Sequence, residues 1–539
     1  MSKLKGNPWA VLVALCLGFF MILLDTTIVN IAIPGITDGL HASLDQIAWV
    51  LNAYILVYAV LLITAGRLGD IHGQKRMFLL GLVIFTLASA ACGLAQNPSE
   101  LVGARVVQGI GGALLTPQTL ALITTIFPRE RRGAAMGVWG GVAGLATIAG
   151  PTVGGLLVTD ASWRWVFYLN VPVGIATFIF GAIIIPDLRM GAKHRLDLRG
   201  VLLVSAGIFA VTFGLIEGER YQWGSVWSFI SIPLIIGVGV VLVGVFLVDQ
   251  YLDKHEPLVP FALVRDRNFG LMNIVGAALM FGMFGLFLPL TIYLQSALHM
   301  SALKAGIVFA PMSLVSMIVA PNAGRMADKI GGKYILVSGL ALFAVGMGVL
   351  DLTAHSHTHW WMFLPGLVLS GFGMGCIFAP MTTLAMHDIE PHQAGAAAGV
   401  FNTTRQVGGV IGNAAIIAVL SSRLGHELST KAVRASSQIP SQYRPGFIAG
   451  FANAARQGLQ VGAGQSGGRL ALPSGVPDGV AVQIGRVASG VFTDAYVAAM
   501  RPTLLLPVVV ILAAAVVCMW VRRPARSTEA QSEGELVAR

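Results

Sequence analysis

The sequence predicts an all-α membrane protein in which two pseudo-symmetric six-helix bundles flank two inserted helices. Three observations predict this fold class: an apolar composition, a series of hydrophobic segments of bilayer length, and a repeated charged loop. Of the 539 residues, 55% are hydrophobic and 11% are charged, whereas soluble globular chains carry roughly 25% charged residues. So few charges cannot cover a soluble protein of this size, but a lipid environment permits an apolar exterior.

Fourteen segments are long and apolar enough to cross a bilayer core, which needs about 20 residues of helix. The first begins at Trp9, exceeds the length of a signal-peptide core and is followed by no small-residue cleavage site. We therefore expect it to remain as a membrane helix. The predicted spans are 9–30, 46–66, 77–96, 99–121, 133–158, 165–186, 200–217, 227–248, 269–294, 303–325, 334–353, 361–386, 394–420 and 500–521.

Lysine and arginine assign the two sides of the membrane, because short cytoplasmic loops carry an excess of both. The sparse side has Arg164, Arg220 and Lys304 in its short loops. We expect the rich side, with both termini, to be cytoplasmic, so the net charge of +10 indicates topology rather than a nucleic-acid partner. The rich side carries Lys3, Lys5, Arg67, Lys75, Arg76, Arg129, Arg131, Arg132, Arg189, Lys193, Arg195, Arg199, Lys254, Arg265, Arg267, Arg325, Lys329, Lys333, Arg522, Arg523 and Arg526.

The segment 421–499 departs from this charge pattern. It lies between the last two predicted spans, on the outer side, and carries several arginines, but long loops escape the charge rule. The segment is rich in glycine, serine and glutamine, and it has room for short amphipathic helices. We interpret it as a variable surface loop, with an outer lid or a partner site as the alternative.

A repeated loop divides the chain into blocks. Residues 66–76 read Gly-Arg-Leu-Gly-Asp-Ile-His-Gly-Gln-Lys-Arg, and residues 324–334 read Gly-Arg-Met-Ala-Asp-Lys-Ile-Gly-Gly-Lys-Tyr. Each copy follows the second helix of a six-helix block, and duplicated helix blocks are a transporter architecture. The predicted units are a first bundle over 1–186, an inserted helix pair over 187–250, a second bundle over 251–521 that includes the loop 421–499, and a cytoplasmic tail over 522–539.

The first copy of this loop resembles the loop motif of the major facilitator superfamily. Gly69 permits close approach of the second helix to a neighbour, and Asp70 can complement the dipole at the N-terminus of a helix in the other half. Together with the resemblance, this indicates a latch that closes the cytoplasmic face; topogenic charge alone is the alternative. The predicted gating residues are Gly66, Arg67, Gly69, Asp70, Gly73, Lys75, Arg76 and Asp328.

Two ionisable residues lie deep in the first bundle, Asp25 in the first span and Arg105 in the fourth. Charged residues inside a membrane segment are costly and usually face a cavity or a partner. Counting along both helices places the two in the outer half of the membrane, where they can interact. Burial disfavours a charged carboxylate, which suits a residue that loads and releases protons. For Arg105, bonding to helix carbonyls is the alternative.

The stretches 24–34 and 163–174 resemble the fourteen-helix drug–proton antiporters of the superfamily, and the stretch 105–112 is similar to the superfamily's fourth-helix motif. This resemblance implies the major facilitator fold, with Asp25 and Arg105 as proton-coupling residues. The fifth span carries Gly150-Pro151-Thr-Val-Gly154-Gly155, which is similar to the antiporter motif of exporters in the superfamily. Small residues at this spacing permit close helix packing, and a proline favours a kink. Generic packing without directional meaning is the alternative.

The thirteenth span carries Arg405 about eleven residues from its start, near the midplane at about 1.5 Å per residue. We expect this arginine on the wall of a central cavity, with an interhelical contact as the alternative. Since the deep charges are Asp25, Arg105 and Arg405, neutral, amphipathic or anionic substrates fit better than polycations. The predicted cavity residues are Thr26, Asn30, Gln108, Asn402, Arg405 and Gln406.

Other chemistries lack a supporting pattern. The sequence contains no phosphate-cradling Gly-x-x-x-x-Gly-Lys-[Ser/Thr] loop, and neither a Ser/His/Asp arrangement nor a metal-ligand set suggests an enzyme. Cysteines in the apolar segments are interpreted as small core residues, and the outer-loop histidines as solvated. These residues are Cys16, Cys92, Cys376, Cys518, His355, His357 and His359.

Together these features predict a proton-coupled secondary transporter in a bacterial cytoplasmic membrane that exports small hydrophobic or amphipathic compounds, such as drugs or antibiotics, by alternating access. The expected partners are a small-molecule substrate, protons and membrane lipid, with no nucleic acid. We expect a monomer and no cofactor beyond the proton gradient. The alternatives are export of a physiological lipid, a siderophore or a self-made antibiotic, and a non-transporting membrane sensor or scaffold. The repeated loop and buried charges argue against the last.

Overall fold

The computed structural model describes residues 7–187, 196–218, 220–252, 257–260, 263, 265–355, 358–456 and 478–522. Most of them are helical. The first bundle consists of α1 (Pro8–Leu40), α2 (Leu44–His72), α3 (Gln74–Leu94), α4 (Pro98–Ile126), α5 (Arg129–Asp160), α6 (Trp165–Tyr168) and α7 (Asn170–Ile184). The inserted pair is α8 (Leu198–Glu217) and α9 (Ile232–Leu252), joined through an antiparallel hairpin of β1 (Ser225–Trp227) and β2 (Ile230–Ser231).

The second bundle begins with α10 (Arg267–Ile292), which continues as a π-helical turn (Tyr293–Ala297). It also contains α11 (Ala302–Val308), α12 (Ala310–Ile330), α13 (Gly332–Thr353), α14 (Leu364–Gly375), α15 (Phe378–Ala385), α16 (Ala394–Ala435), α17 (Arg444–Arg456) and α18 (Asp478–Cys518). Short 3₁₀ turns lie at Trp360–Phe363, Pro391–Gln393, Ser436–Gln438 and Ser441–Tyr443.

Thirteen helical stretches of the described chain are long and apolar enough to cross a membrane. They overlap thirteen of the fourteen predicted spans. The remaining predicted span, 133–158, lies inside α5, which has 32 residues and at about 1.5 Å per residue is long enough to cross a bilayer. The prediction of an all-α, multi-pass membrane protein is confirmed.

Local sequence signals explain where several helices begin and end. Asn7 caps α1 by accepting from the Trp9 amide, and Ser43 with Gln46 forms a capping box at the start of α2, so free amides at both starts are satisfied. In the repeated loop, α2 ends at Gly73 with φ +97° and α12 ends at Gly331 with φ +89°. A side chain would be strained at these angles, which explains why glycine occupies both turns.

The two bundles meet along two helix pairs, α2 with α16 and α5 with α12. The inserted pair packs outside this interface. Its helices approach closely, since a Cβ on Gly207 would lie 3.1 Å from the carbonyl oxygen of Gly239. Through α8 the pair contacts both α2 and α16, and the rings of Trp49 and Phe213 lie 6.2 Å apart. The inserted pair therefore packs against one helix of each bundle at the edge of their interface.

The segment 421–499 differs from the predicted surface loop. The helix predicted to end at 420 continues to Ala435, and the helix predicted to begin at 500 starts at Asp478. Leu424, Leu428 and Ala432 are buried at four-residue intervals, and Lys431 Nζ donates to the Asp494 carbonyl at 2.6 Å. A hydropathy window underrates such a helix because only one of its faces is apolar. We call residues 421–456 and 478–499 the helical extension.

Some predictions concern residues outside those that the structure describes. These are the stretch 457–477 of the long segment, the tail beyond Arg522, His357, and the charged residues Lys3, Lys5, Arg189, Lys193, Arg195, Lys254, Arg523 and Arg526.

We predict that Leu424→Ala loosens the helical extension and leaves the membrane helices intact. Leu424 has 0% exposure, and truncating a buried leucine costs about 2–5 kcal/mol. Hydrogen exchange should increase in peptides from 421–435 and 478–499. The control is Val433→Ala on the same helix, where the side chain is 55% exposed. Equal exchange in both variants would contradict the buried stripe.

Candidate functional site

Asp25 lies at the centre of a buried polar network in the first bundle. Its carboxylate accepts from Arg105 Nη1 at 2.5 Å, from Gln108 Nε2 at 2.8 Å and from Asn170 Nδ2 at 3.2 Å. The donors come from α4 and α7, and Asp25 itself is 0% exposed. A buried carboxylate needs this many donors because an uncompensated charge is costly in a low-dielectric interior.

Arg105 has acceptors besides the carboxylate. Its Nη1 also donates to Gln108 Oε1 at 2.7 Å, and its Nε donates to the Val50 carbonyl at 3.1 Å. The guanidinium carbon lies 4.2 Å from the centre of the Tyr54 ring, a cation–π distance. If Asp25 takes up a proton, the arginine therefore keeps partners that stabilise its charge. The network can hold the carboxyl group either charged or neutral.

Sequence reasoning missed Asn170, Ser89 and Tyr54 as parts of this network. Asn170 Nδ2 also donates to Ser89 Oγ at 3.0 Å, and Ser89 Oγ donates to the Phe167 carbonyl at 2.9 Å. Asn170 carried a usable signal, since an amide inside an apolar membrane segment is costly without a partner. Ser89 and Tyr54 carried none, because such residues occur in membrane helices without a special role.

The glycines of the fifth span pack against α1 next to Asp25. A Cβ on Gly150 would collide with the side chain of Thr27, and one on Gly154 would lie 2.6 Å from Ile28 Cγ1. A Cβ on Gly155 would lie 3.5 Å from Leu303 Cδ1 of α11. The side chain of Pro151 is not among those that the structure describes. Glycine thus brings α5 close to the part of α1 that carries the carboxylate.

The repeated loop forms two equivalent contacts between the bundles. Asp70 accepts from the amides of Gly395 at 2.9 Å and Ala396 at 2.8 Å, at the start of α16. In the second copy, Asp328 accepts from the amides of Gly133 at 2.7 Å and Ala134 at 3.0 Å, near the start of α5. A carboxylate is stabilised at a helix N-terminus by free amides and the helix dipole.

Close backbone approach accompanies each carboxylate. A Cβ on Gly66 would collide with the Gly395 carbonyl, and one on Gly324 with the Gly133 carbonyl. A Cβ on Gly69 would collide with the side chain of Gln118. We call the two carboxylates with these glycines the double latch. It holds the bundles together at the membrane face where the repeated loops lie.

The lysines of the two loops have equivalent partners, because each donates to a backbone carbonyl of its own bundle. Lys75 Nζ donates to the Ala182 carbonyl at 2.8 Å, and Lys333 Nζ donates to the Met519 carbonyl at 2.6 Å. Arg67 is buried beside Asp70, whereas Arg76 is exposed. The lysines thus tie each loop to the last helix of its own bundle.

The predicted cavity residues do not all lie on one wall. The Thr26 hydroxyl and the Asn402 amide donate to carbonyls of their own helices, and Asn30, which is exposed, does the same. Gln406 is partly exposed. The prediction for Gln108 needs correction, since it is 0% exposed and bonded to Asp25. Its amide supplies both a donor and an acceptor, which suits it to a buried ion pair.

Arg405 lies at the interface between the bundles. Its guanidinium carbon is 5.2 Å from the Phe378 ring centre and 5.7 Å from that of Phe401. Its Nε is buried without a hydrogen-bond acceptor. This position agrees with a place beside a central pathway. Across the described residues, no group of three or more His, Cys, Asp or Glu side chains could hold a metal.

Comparison with known proteins identifies relatives across most of the chain. The family model described as Major Facilitator Superfamily matches residues 15–413. An uncharacterised MFS-type transporter of Mycobacterium tuberculosis (strain ATCC 25618 / H37Rv) is 40% identical over 79% of this chain and 73% of its own. The tetracenomycin C resistance and export protein of Streptomyces glaucescens is 34% identical over 87% of this chain and 86% of its own.

A further relative is the multidrug resistance protein Stp of Mycobacterium tuberculosis (strain CDC 1551 / Oshkosh), 33% identical over 79% of this chain and 78% of its own. Among solved structures, the human organic anion transporter MFSD10 (TETRAN) superposes with a TM-score of 0.58, covering 94% of this chain and 99% of that chain. At 12% sequence identity, this match concerns the fold alone.

We predict that Gly150→Ala destabilises the protein, whereas Gly103→Ala does not. A methyl group on Gly150 meets Thr27, while a Cβ on Gly103 has nothing within 4 Å. Overpacking costs about 1–3 kcal/mol, and removing an exposed helical glycine gains up to about 1 kcal/mol. Thermal unfolding of the purified variants should separate the two. A lower melting temperature for Gly103→Ala than for Gly150→Ala would be inconsistent with the packing.

We predict that Asp70→Asn and Asp328→Asn each open the latched face. Each substitution weakens two charge-assisted hydrogen bonds, which contribute about 1.5–3 kcal/mol apiece. A cysteine introduced at Ala397, which is 0% exposed, in a background without the native cysteines should react faster with a maleimide in both variants.

The control for this measurement is Asp388→Asn, an exposed acid in the loop before α16 whose side chain is 51% exposed. It should leave the labelling rate unchanged. Unchanged labelling in the two latch variants would show that the latch contributes nothing to closure of this face.

Proposed function

The chain belongs to the Major Facilitator Superfamily, and we propose that it is a proton-coupled exporter of small hydrophobic or amphipathic compounds, including drugs or antibiotics. It is a multi-pass membrane transporter and not an enzyme. Relatives over more than three quarters of the chain carry the names of an antibiotic resistance and export protein and of a multidrug resistance protein. These names support export as the direction of transport.

The observation that carries the proton coupling is the Asp25 network. A fully buried carboxylate bonded to Arg105, Gln108 and Asn170 has no role in holding the two bundles together, because all four residues belong to the first bundle. Such an ion pair is an expensive way to stabilise a fold. It serves better as a site that exchanges a proton, with Arg105 retained by its other acceptors while Asp25 is neutral.

The double latch supports alternating access. Asp70 and Asp328 close one face of the bundle interface through amides of the opposite bundle. We assign this face to the cytoplasm, in line with the positive charge of its loops, so the closed latch corresponds to an outward-facing or occluded state. Opening requires both carboxylates to leave their helix ends. The antiporter glycines couple α1 to α5, since Gly150 packs against Thr27, two residues from Asp25.

In this proposal the protein works in a bacterial cytoplasmic membrane with both termini inside the cell. A small-molecule substrate and protons are its partners, the proton gradient is its energy source, and the chain acts as a monomer in lipid. A second candidate is export of an antibiotic made by the same cell, which is favoured by the tetracenomycin C export protein among the relatives.

We predict that Asp25→Asn abolishes proton-driven transport and preserves the fold. Asparagine keeps the size and can still accept from Arg105, but it cannot exchange a proton. Proteoliposomes should be given a pH gradient and tested with a varied panel of fluorescent lipophilic dyes. Transport by the variant should fall to the level of empty vesicles, with the melting temperature of the purified protein within a few degrees of wild type.

The matched control is Asp160→Asn, an exposed acid at the end of α5, which should transport like wild type. Gradient-driven transport by Asp25→Asn at the wild-type rate would refute the assignment of the proton site. Absence of gradient-driven transport for every dye in the wild-type protein would instead favour a sensor or scaffold.

A further inference from the structure

We propose that Arg405 is a substrate-binding residue that selects compounds carrying an anionic oxygen group, such as a carboxylate or a phenolate. This inference rests on the proposed function and names the substrate class of the same pathway. It follows from the position of the side chain, from the lack of a counter-charge, and from the groups that surround the guanidinium.

The side chain of Arg405 is positioned between the two bundles. It extends from α16, and its aliphatic part packs on α10, where a Cβ on Gly276 would lie 2.9 Å from its Cγ. Across the interface, the hydroxyl of Tyr58 on α2 lies within electrostatic range of the guanidinium. The arginine is therefore part of the second bundle but faces the first, which is where a transported molecule must pass.

No acidic partner compensates this charge within the described part of the chain. Asp25 is paired with Arg105, and Asp70 and Asp328 are bound to helix amides. The one titratable group that affects Arg405 from nearby is the neutral phenol of Tyr58, which donates its own hydrogen to Thr116 Oγ1 at 3.1 Å. An arginine inside a membrane segment ordinarily has a partner, so the uncompensated charge of Arg405 favours an anionic ligand.

The surroundings of the guanidinium also favour an anionic ligand. Phe378 and Phe401 lie 5.2 Å and 5.7 Å from the guanidinium carbon, within cation–π range. They stabilise the cation without neutralising it. Both rings are buried, so they surround the cation with an apolar environment in which its attraction for an anion is strong. Arg405 Nε is buried and has no acceptor, so an incoming carboxylate can satisfy it, and a fork of two N–H groups matches carboxylate geometry.

The contrast with Arg105 separates this role from a structural one. Arg105 is enclosed and bonded to a carboxylate, an amide oxygen and a backbone carbonyl, whereas Arg405 is partly exposed and has none of these. The proposed pathway thus contains a guanidinium charge that no acidic side chain of the described residues compensates. A cationic substrate would be repelled by it, and a neutral one would leave its charge uncompensated.

The test uses three probes of nearly equal shape: anthracene-9-carboxylate, the neutral anthracene-9-carboxamide, and the cationic 9-(aminomethyl)anthracene. Binding to the full-length protein in lipid nanodiscs is measured by equilibrium dialysis at neutral pH, with empty nanodiscs subtracted. We expect the carboxylate to bind at least about tenfold more tightly than the carboxamide, as a charge-assisted hydrogen bond predicts, and the cation to bind most weakly.

Arg405→Gln should abolish the preference for the carboxylate while leaving carboxamide binding nearly unchanged. Arg405→Lys should retain part of the preference, because it keeps the charge but loses the planar fork. The matched control is Arg423→Gln, an exposed position on the same helix, which should behave like wild type. Melting temperatures of all variants identify any that fail to fold. If Arg405→Gln does not fold, the partial loss of preference in Arg405→Lys tests the inference instead.

Equal binding of the three probes to wild type, preference for the cation, no binding of any probe, or an unchanged preference in Arg405→Gln would each overturn the inference. The outcome is separable from that of the proposed function. Gradient-driven dye transport without a carboxylate preference refutes the anion site alone, whereas a carboxylate preference lost in Arg405→Gln, without any gradient-driven transport, supports the site and refutes the exporter.

Discussion

The cost of placing charge in a low-dielectric interior is the constraint on which this structure depends. Asp25 is acceptable at the centre of the first bundle because Arg105, Gln108 and Asn170 all donate to it. Asp70 and Asp328 are stabilised at the bundle interface because backbone amides at helix N-termini donate hydrogen bonds to their carboxylates. Each deep carboxylate therefore determines which helices lie beside it, and the arrangement of the bundles follows from these three sites together with the glycines that permit close approach.

In the proposed transport cycle, the two kinds of site have different roles. The Asp25 network lies within one bundle, so a change in its protonation can occur without separating the halves. The double latch lies between the bundles, so it can open only when they move. Gly150 connects the two, because it brings α5, whose start receives Asp328, against Thr27 of α1, two residues from Asp25. In the proposed substrate site, Arg405 adds a charge that an anionic substrate would neutralise.

Much of this could be predicted from the chain. Apolar segments of bilayer length predicted the spans, and the repeat of residues 66–76 at 324–334 predicted the paired loops. Short amphipathic helices were an option for 421–499, but the continuation of both flanking spans as the helical extension was not predicted. Leu424, Leu428 and Ala432 form a stripe on one face, and averaging over all faces conceals it. Asn170 was not assigned to the carboxylate because residues 145 positions apart are joined only by the packing of α7 on α1. Gln108 was wrongly assigned to the cavity wall. A glutamine can face a cavity or complete a buried ion pair, and the choice depends on its tertiary neighbours rather than on its residue type.

The sequence by itself determined the fold class, the identity of the deep charges and the equivalence of the two loops, because hydropathy, residue type and repetition are local properties of the chain. The tertiary structure decided which partners those charges have. Fourteen apolar segments establish the presence of a membrane protein, but only their packing shows Asp25 fully compensated within one bundle, Asp70 and Asp328 bound across the interface, and Arg405 left without a carboxylate among the described residues. Electrostatic compensation depends on distances of a few ångströms between segments far apart in sequence, and no local pattern contains those distances.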